Sequence, residues 1–157
     1  MTSCYPSNTV LAQTFNKKLA IQWGVSYGTD CVSFNIASTW APGTNIHRTP
    51  IGGRNFEYYS EDGVLSYYQT KNEVSGAYKF GLSMGPKHFA FNDQETNRYG
   101  GAIFANEQEI REICLKGFEY AAIEGKATAV MVAMNRIGTT WAGAHKGLMS
   151  NVLRGEW

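Results

Sequence analysis

The sequence predicts an α/β protein built from helices alternating with short parallel strands, and three observations carry that prediction. First, segments with helical spacing and continuously apolar segments follow one another as helix, strand, helix, strand, helix, strand, helix. Such alternation implies right-handed crossovers and a parallel sheet. Second, the polar, chemically loaded segments all begin where a strand candidate stops, and the carboxyl ends of strands form the functional face of parallel α/β folds. Third, no glycine-rich phosphate turn follows a strand candidate, because Gly24-Val25-Ser26-Tyr27-Gly28 falls inside a helix. The expectation is therefore a segment of a parallel α/β barrel rather than a nucleotide-binding sheet, although three strands cannot close a barrel.

Ser7 and Asn8 after Pro6 can cap a helical start, and Asn16 can restart the helix with its own cap. Leu11, Phe15, Leu19, Trp23 and Tyr27 recur every four residues and predict one apolar stripe. An extended stretch over Ser33–Ala41 ends at Pro42-Gly43, and a long polar loop follows, of the kind that is functional or disordered in compact domains. Val64–Phe80 reads as a helix burying Leu65, Tyr68, Val74 and Tyr78, with Gly81 as its stop. Leu82–Pro86 is a strand candidate, and KHFAFNDQETNR starts where it stops. Asn106 with Glu109 three residues on has capping-box spacing for a helix that buries Ile110, Ile113, Cys114, Phe118 and Ala121 and ends at Gly125. Ala127–Met134 is an apolar run suited to a buried parallel strand. The loop NRIGTTWAGAH and a last helix over Lys146–Leu153 complete the chain.

A net charge of +1 excludes a strongly basic nucleic-acid binder. The longest apolar run is too short to cross a bilayer. No signal peptide is visible after Met1, and the compartment is left open because the native N-terminus can lie further upstream. The 3 cysteines, Cys4, Cys31 and Cys114, have no C-x-x-C spacing, so neither a zinc site nor a redox motif is expected, nor any other metal or cofactor. Aromatic content of 13% suits sugar or flat-ligand binding, although cores use aromatics as well.

On the predicted functional face stand Arg48, Arg54, Glu57, Glu61 and Asp62 from the first loop. Lys87, His88, Asp93, Glu95 and Arg98 come from the second, and Asn135, Arg136 and His145 from the third. Paired carboxylates suggest glycosidic or phosphoryl chemistry. Lys, His and Arg meeting at one spot would donate several hydrogen bonds to hydroxyls or an anion. Each has a plainer role as well. Glu61 and Asp62 suit a helix N-terminus, Glu57 can position Arg54, and Asp93 and Glu95 can brace their loop.

The segments APGTNIHRTPIGGRNFEYYSED, KHFAFNDQETNR, NEQEIREICLKGFEYAAIEG and NRIGTTWAGAHKGLMSNVLRGEW together resemble glycoside hydrolase family 3, the β-glucosidase-type retaining enzymes, in order over nearly the whole chain. The resemblance implies part of a (β/α)8 TIM-like barrel, about three to four βα units with parallel strands over residues 1–157, from a catalytic domain whose mouth binds a terminal sugar, a small carbohydrate being the only partner implied. Carried over by motif, Arg54 of GGRN, Lys87 and His88 of KHF, and Arg98 of ETNR hold its hydroxyls. Because Lys87 and His88 are neighbours, and strand side chains alternate, the backbone there is expected to be irregular, a non-proline cis peptide being one form. Met134 stands where relatives usually carry an aromatic residue near the sugar, as possible subsite lining. Gly63 replaces a usual proline, and Gly85-Pro86 a β-branched strand end.

The resemblance places no catalytic residue inside this chain. The aspartate nucleophile is expected beyond Trp157, and the acid/base in a separate C-terminal domain. Part of a retaining exo-β-glycosidase that supplies sugar-binding residues, inactive by itself, is thus the implied function. The alternative is a truncated, non-catalytic sugar-binding or scaffold protein.

Overall fold

Ser7 opens the helical part, its hydroxyl accepting from the Val10 amide, and starts α1 (Asn8–Ala12). Asn16 then caps α2 (Lys17–Ser33) by accepting from the Lys18 and Leu19 amides. The computed structural model, which describes residues 3–157, thus has two helices where the spacing drew one stripe. Phe15 lies in the break with φ of 50° and is 75% exposed. Leu19 is exposed, and Trp23 and Tyr27 are half-buried. A stripe continues only along one axis, and two separate caps make two axes. The residues α2 buries are small: Ala20, Gly24, Gly28 and Cys31.

Asp62 caps α3 (Gly63–Tyr78). The small face of α2 lets the two backbones touch. A Cβ at Gly24 would lie 2.0 Å from the Glu73 carbonyl oxygen, and one at Gly76 would lie 2.4 Å from that of Ile21. Of the positions expected to be buried on α3, Val74 is buried, Leu65 and Tyr68 are half-buried, and Tyr78 is exposed at the helix end.

The strands are β1 (Ser38–Thr39), β2 (Ser83–Met84), β3 (Lys87–Phe89), β4 (Ala102–Ile103), β5 (Met131–Val132), β6 (Arg136–Ile137) and β7 (Thr140–Trp141). β1 pairs with β2, β3 with β5, and β4 with β6, all parallel. A bridge from Gly43 to Lys87 continues the β1 side of the sheet along β3. The fold class is the predicted one, a partial α/β barrel with parallel strands and helices on the outside.

Several boundaries differ from expectation. The extended stretch shrinks to β1, because Ser33 completes α2. The strand expected at Leu82–Pro86 resumes beyond Pro86 as β3, so KHFAFNDQETNR begins within the sheet. Pro86 has no N–H to give, yet its carbonyl accepts from Met131 N–H at 3.0 Å, which keeps the neighbouring strand attached. The segment expected as a plain loop after Met134 forms the antiparallel pair β6–β7. The helix expected from Asn106 begins as α4 (Glu107–Glu109), widens into a π-type turn over Ile110–Cys114, and resumes as α5 (Lys116–Ile123). Ile113 is consequently exposed, while Cys114, Phe118 and Ala121 are buried. The last helix, Gly147–Glu156, is also π-type.

Two apolar clusters fill the layer between strands and helices. Val74, Ala77, Leu82, Met84 and Ala121 join α3, β2 and α5. Phe89, Leu115, Phe118, Leu148 and Val152 join β3 to α5 and the last helix. Each large side chain enclosed there stabilises the fold by roughly 1.5–3 kcal/mol before entropy is counted. Together they hold the carboxyl ends of β1, β3 and β5 on one side.

Candidate functional site

Beyond β1, the loop turns back against β3. Lys87 N–H donates to the Pro42 carbonyl at 2.9 Å, and Thr44 N–H to the Lys87 carbonyl at 2.7 Å. Buried Asn45 then clasps the His88 peptide from both sides. Its Nδ2 donates to the His88 carbonyl at 2.8 Å, and its Oδ1 accepts from His88 N–H at 2.6 Å. The Lys87–His88 and Phe89–Ala90 peptide bonds are cis, and the register of β3 shifts between Lys87 and Phe89. The irregular backbone expected there is present, and both side chains enter one cluster.

Four residues named from the sequence meet in that cluster through partners of opposite charge or matching hydrogen bonds. Glu57 Oε1 lies 2.5 Å from Arg54 Nη2 and 3.8 Å from Lys87 Nζ. Glu95 Oε1 is 3.4 Å from Arg54 Nη1, and Glu95 Oε2 is 3.0 Å from Arg98 Nη1. Asn92 Nδ2 donates to Glu95 Oε1 and to the Tyr58 hydroxyl, both at 2.8 Å. The Tyr58 hydroxyl is 3.1 Å from His88 Nδ1. Gly53, with φ of 88°, lets the loop carrying Arg54 pass close to Glu95, since a Cβ there would sit 3.3 Å from the Glu95 Cβ.

Electrostatics follow from this packing. Burial, reinforced by the neighbouring charges of Arg54 and Lys87, pushes His88 down to about 3, so the imidazole is neutral. Burial would raise the Glu95 carboxyl, but the Asn92 hydrogen bond and the Arg98 and Arg54 guanidiniums outweigh it and hold the group below its usual range. Three cations face two carboxylates, which leaves one positive charge within the cluster. Two cavities flank it. One of about 280 Å³ borders Glu57 and Lys87, and one of about 640 Å³ borders Arg98, Asp93, Phe104 and Asn135.

The other face residues take the plainer roles. Asp62 caps α3, and His145 Nδ1 accepts from the Leu148 amide at the start of the last helix. Arg136 donates to Thr139 within the hairpin, and Arg48 pairs with Asp93 and Glu109 outside the cluster. Met134 is 40% exposed and borders neither cavity; Asn135 beside it does. Among the described residues no group of three or more His, Cys, Asp or Glu gathers as a metal site, and no helix is long and apolar enough to span a membrane.

Residues 1–157 match the glycosyl hydrolase family 3 N-terminal domain throughout. The chain belongs to that family. It is 38% identical over 97% of its length to a beta-glucosidase of Ruminococcus albus, and 38% identical over 100% of its length to beta-glucosidase A of Butyrivibrio fibrisolvens. It covers 16% and 19% of those enzymes, and so spans under a fifth of their length. Its fold superposes on beta-glucosidase 3B of Thermotoga neapolitana, solved in complex with glucose, with a TM-score of 0.96 and 39% identity, covering 99% of this chain and 22% of that one. The structures it resembles are family 3 beta-glucosidases, which fits the partial TIM-like barrel.

Within this family 3 chain, sequence reasoning overlooked Asn45, Tyr58 and Asn92. Neutral Asn and Tyr are ordinary loop residues, and only their enclosure between charged neighbours marks them. Asn45 carried one usable signal, its position just past the end of a strand.

Proposed function

We propose that this chain is the sugar-holding part of a retaining exo-β-glycosidase of the β-glucosidase type, acting on terminal non-reducing β-linked sugars. The convergence of Arg54, Lys87, His88 and Arg98 into one braced cluster carries this reading. A sugar hydroxyl both donates and accepts. Guanidinium and ammonium groups supply charged donors, whose bonds are stronger than neutral ones. A neutral imidazole can donate or accept through the nitrogen not facing Tyr58. Bonds that tighten as an oxocarbenium-like state forms lower the barrier.

Retaining hydrolysis needs a nucleophilic carboxylate and a second one as acid/base. Glu57 and Glu95 are both engaged by guanidiniums, a role suited to positioning cations rather than attacking an anomeric carbon. On this reading the reacting carboxylates lie elsewhere in the polypeptide. The names of the Ruminococcus and Butyrivibrio relatives and the glucose held by the Thermotoga enzyme support the same substrate class.

Two measurements test it. The purified chain should show no turnover of p-nitrophenyl β-glucoside above a Lys87→Ala control. Titration with D-glucose, followed by NMR, should show saturable binding that Arg54→Ala or Lys87→Ala weakens by about tenfold or more, the worth of one charged hydrogen bond. Turnover by the chain, no binding, or binding indifferent to both substitutions would each overturn the proposal.

A further inference from the structure

The α3 helix carries a row of polar side chains, Ser66, Gln69, Thr70 and Glu73, none more than 1% exposed. Glu73 is fully enclosed. Its Oε2 accepts from the Tyr59 hydroxyl at 2.5 Å, and its Oε1 has no partner. Gln69 Oε1, one turn earlier on the same helix face, also lacks a donor. Glu73 Oε1 and Gln69 Oε1 thus stand one turn apart on one helix face without donors, and a proton on Glu73 would supply one.

No cation answers this carboxyl among the described residues. Tyr59 precedes the helix, and Tyr27 approaches from α2. α1 and β2 hold no titratable group. Lys71 pairs with Glu124, and Lys116 on α5 with Glu119. Glu57 and Lys87 share only the cavity that Glu73 borders. An unpaired buried carboxylate is costly and takes up a proton instead.

We infer that Glu73 is a proton-controlled latch between α2 and α3, packed while its carboxyl is neutral and released when it ionises. The contact has no slack, because the Glu73 backbone already touches Gly24 of α2. Glu73 borders the open cavity of about 280 Å³ lined by Trp23, Tyr27, Pro42, Glu57 and Lys87 yet shows no exposed surface, so hydrating the ionised group requires the packing of α2 against α3 to open. Since Glu57 and Lys87 belong to the sugar-holding cluster, the latch connects the helix layer to that cluster.

The direction of the pH effect follows from linkage. Burial raises Glu73 from 4.5 to about 8. The folded chain therefore holds a proton that the unfolded chain has released between those values. The stabilisation is complete below 4.5 and is lost as pH rises to about 8. Unfolded His88 is half-protonated at pH 6.5, so its loss of that proton opposes the latch by about a factor of two above this pH. In urea unfolding of the chain between about pH 6.5 and 8.5 the latch outweighs this, and the unfolding constant should rise about tenfold across that interval. Glu73→Gln, a neutral mimic, should remove this rise. A wild-type slope in Glu73→Gln overturns the inference. Should that variant not fold, the infrared carbonyl band of a protonated carboxylic acid decides. It should be present near pH 6.5, fade above pH 8, and fade at still higher pH in Tyr59→Phe, which removes the donor that favours the charged form. Absence of the band near pH 6.5 overturns the inference equally.

Discussion

Asn45 shows how one neutral residue sets the position of a site group. It bonds both the N–H and the carbonyl of His88, at 2.6 and 2.8 Å. Asn45→Ala leaves both backbone groups buried and unanswered. Its expected cost is about 2–4 kcal/mol in urea unfolding, from two buried groups at ~1–2 each. Glu95 makes a different residue-scale case. Its two oxygens fix Arg54 and Arg98 together. Glu95→Gln keeps the shape and removes the charge, so glucose affinity should fall about tenfold with little change in stability. Unchanged affinity would show that the arginines hold position without it. Charged residues of this cluster could be nominated from the sequence because their types carry chemistry. Their partners could not, because nothing local separates a bracing Asn from a solvated one.

At the scale of elements, small residues decide how α2 and α3 meet. Gly24→Ala would place a Cβ 2.0 Å from a backbone oxygen that cannot rotate away. The substitution should cost about 2–3 kcal/mol, as overpacking does. Ser26→Ala, exposed on the same helix, should stay within about 0.5 kcal/mol and serves as the control. Equal stabilities for the two variants would contradict the close helix contact. The helix caps at Ser7, Asn16 and Asn106 were legible because a cap is a local bond between a side chain and an amide two or three residues on, whereas Asp62 was legible only as a charge suited to a helix N-terminus. The buried face of α2 was not. Apolar periodicity pointed to Phe15 and Leu19, while the face that packs is the one small enough for a second backbone to approach.

For the whole molecule, two buried groups with opposite linkage shape stability against pH. His88 is held near 3 from an ordinary 6.5, so the folded chain resists protonating it and stability falls as pH drops through that window. Glu73 acts in the reverse sense between 4.5 and about 8. The opposing slopes overlap between 4.5 and 6.5, where stability should be nearly flat, with losses on both sides. Urea midpoints from about pH 3 to 9 test this. His88→Asn should convert the plateau into a steady decline with rising pH, and a plateau that survives the substitution would refute the assignment.

The sequence by itself determined the alternation of helix and strand, the parallel sheet, three helix caps and, through its resemblance to the family, the four candidate sugar contacts. All of these rest on local spacing, or on motifs whose residue types are bound to their chemistry. Only the tertiary structure decided where the strands begin and end, that β6 and β7 form a hairpin, and that Asn45, Tyr58 and Asn92 brace the cluster. It also enclosed Glu73 where no cation among the described residues pairs with it. The physical reason is range. A cap or a period is closed within a few residues, whereas burial and the loss of a counter-charge arise from segments that meet only after the chain has folded.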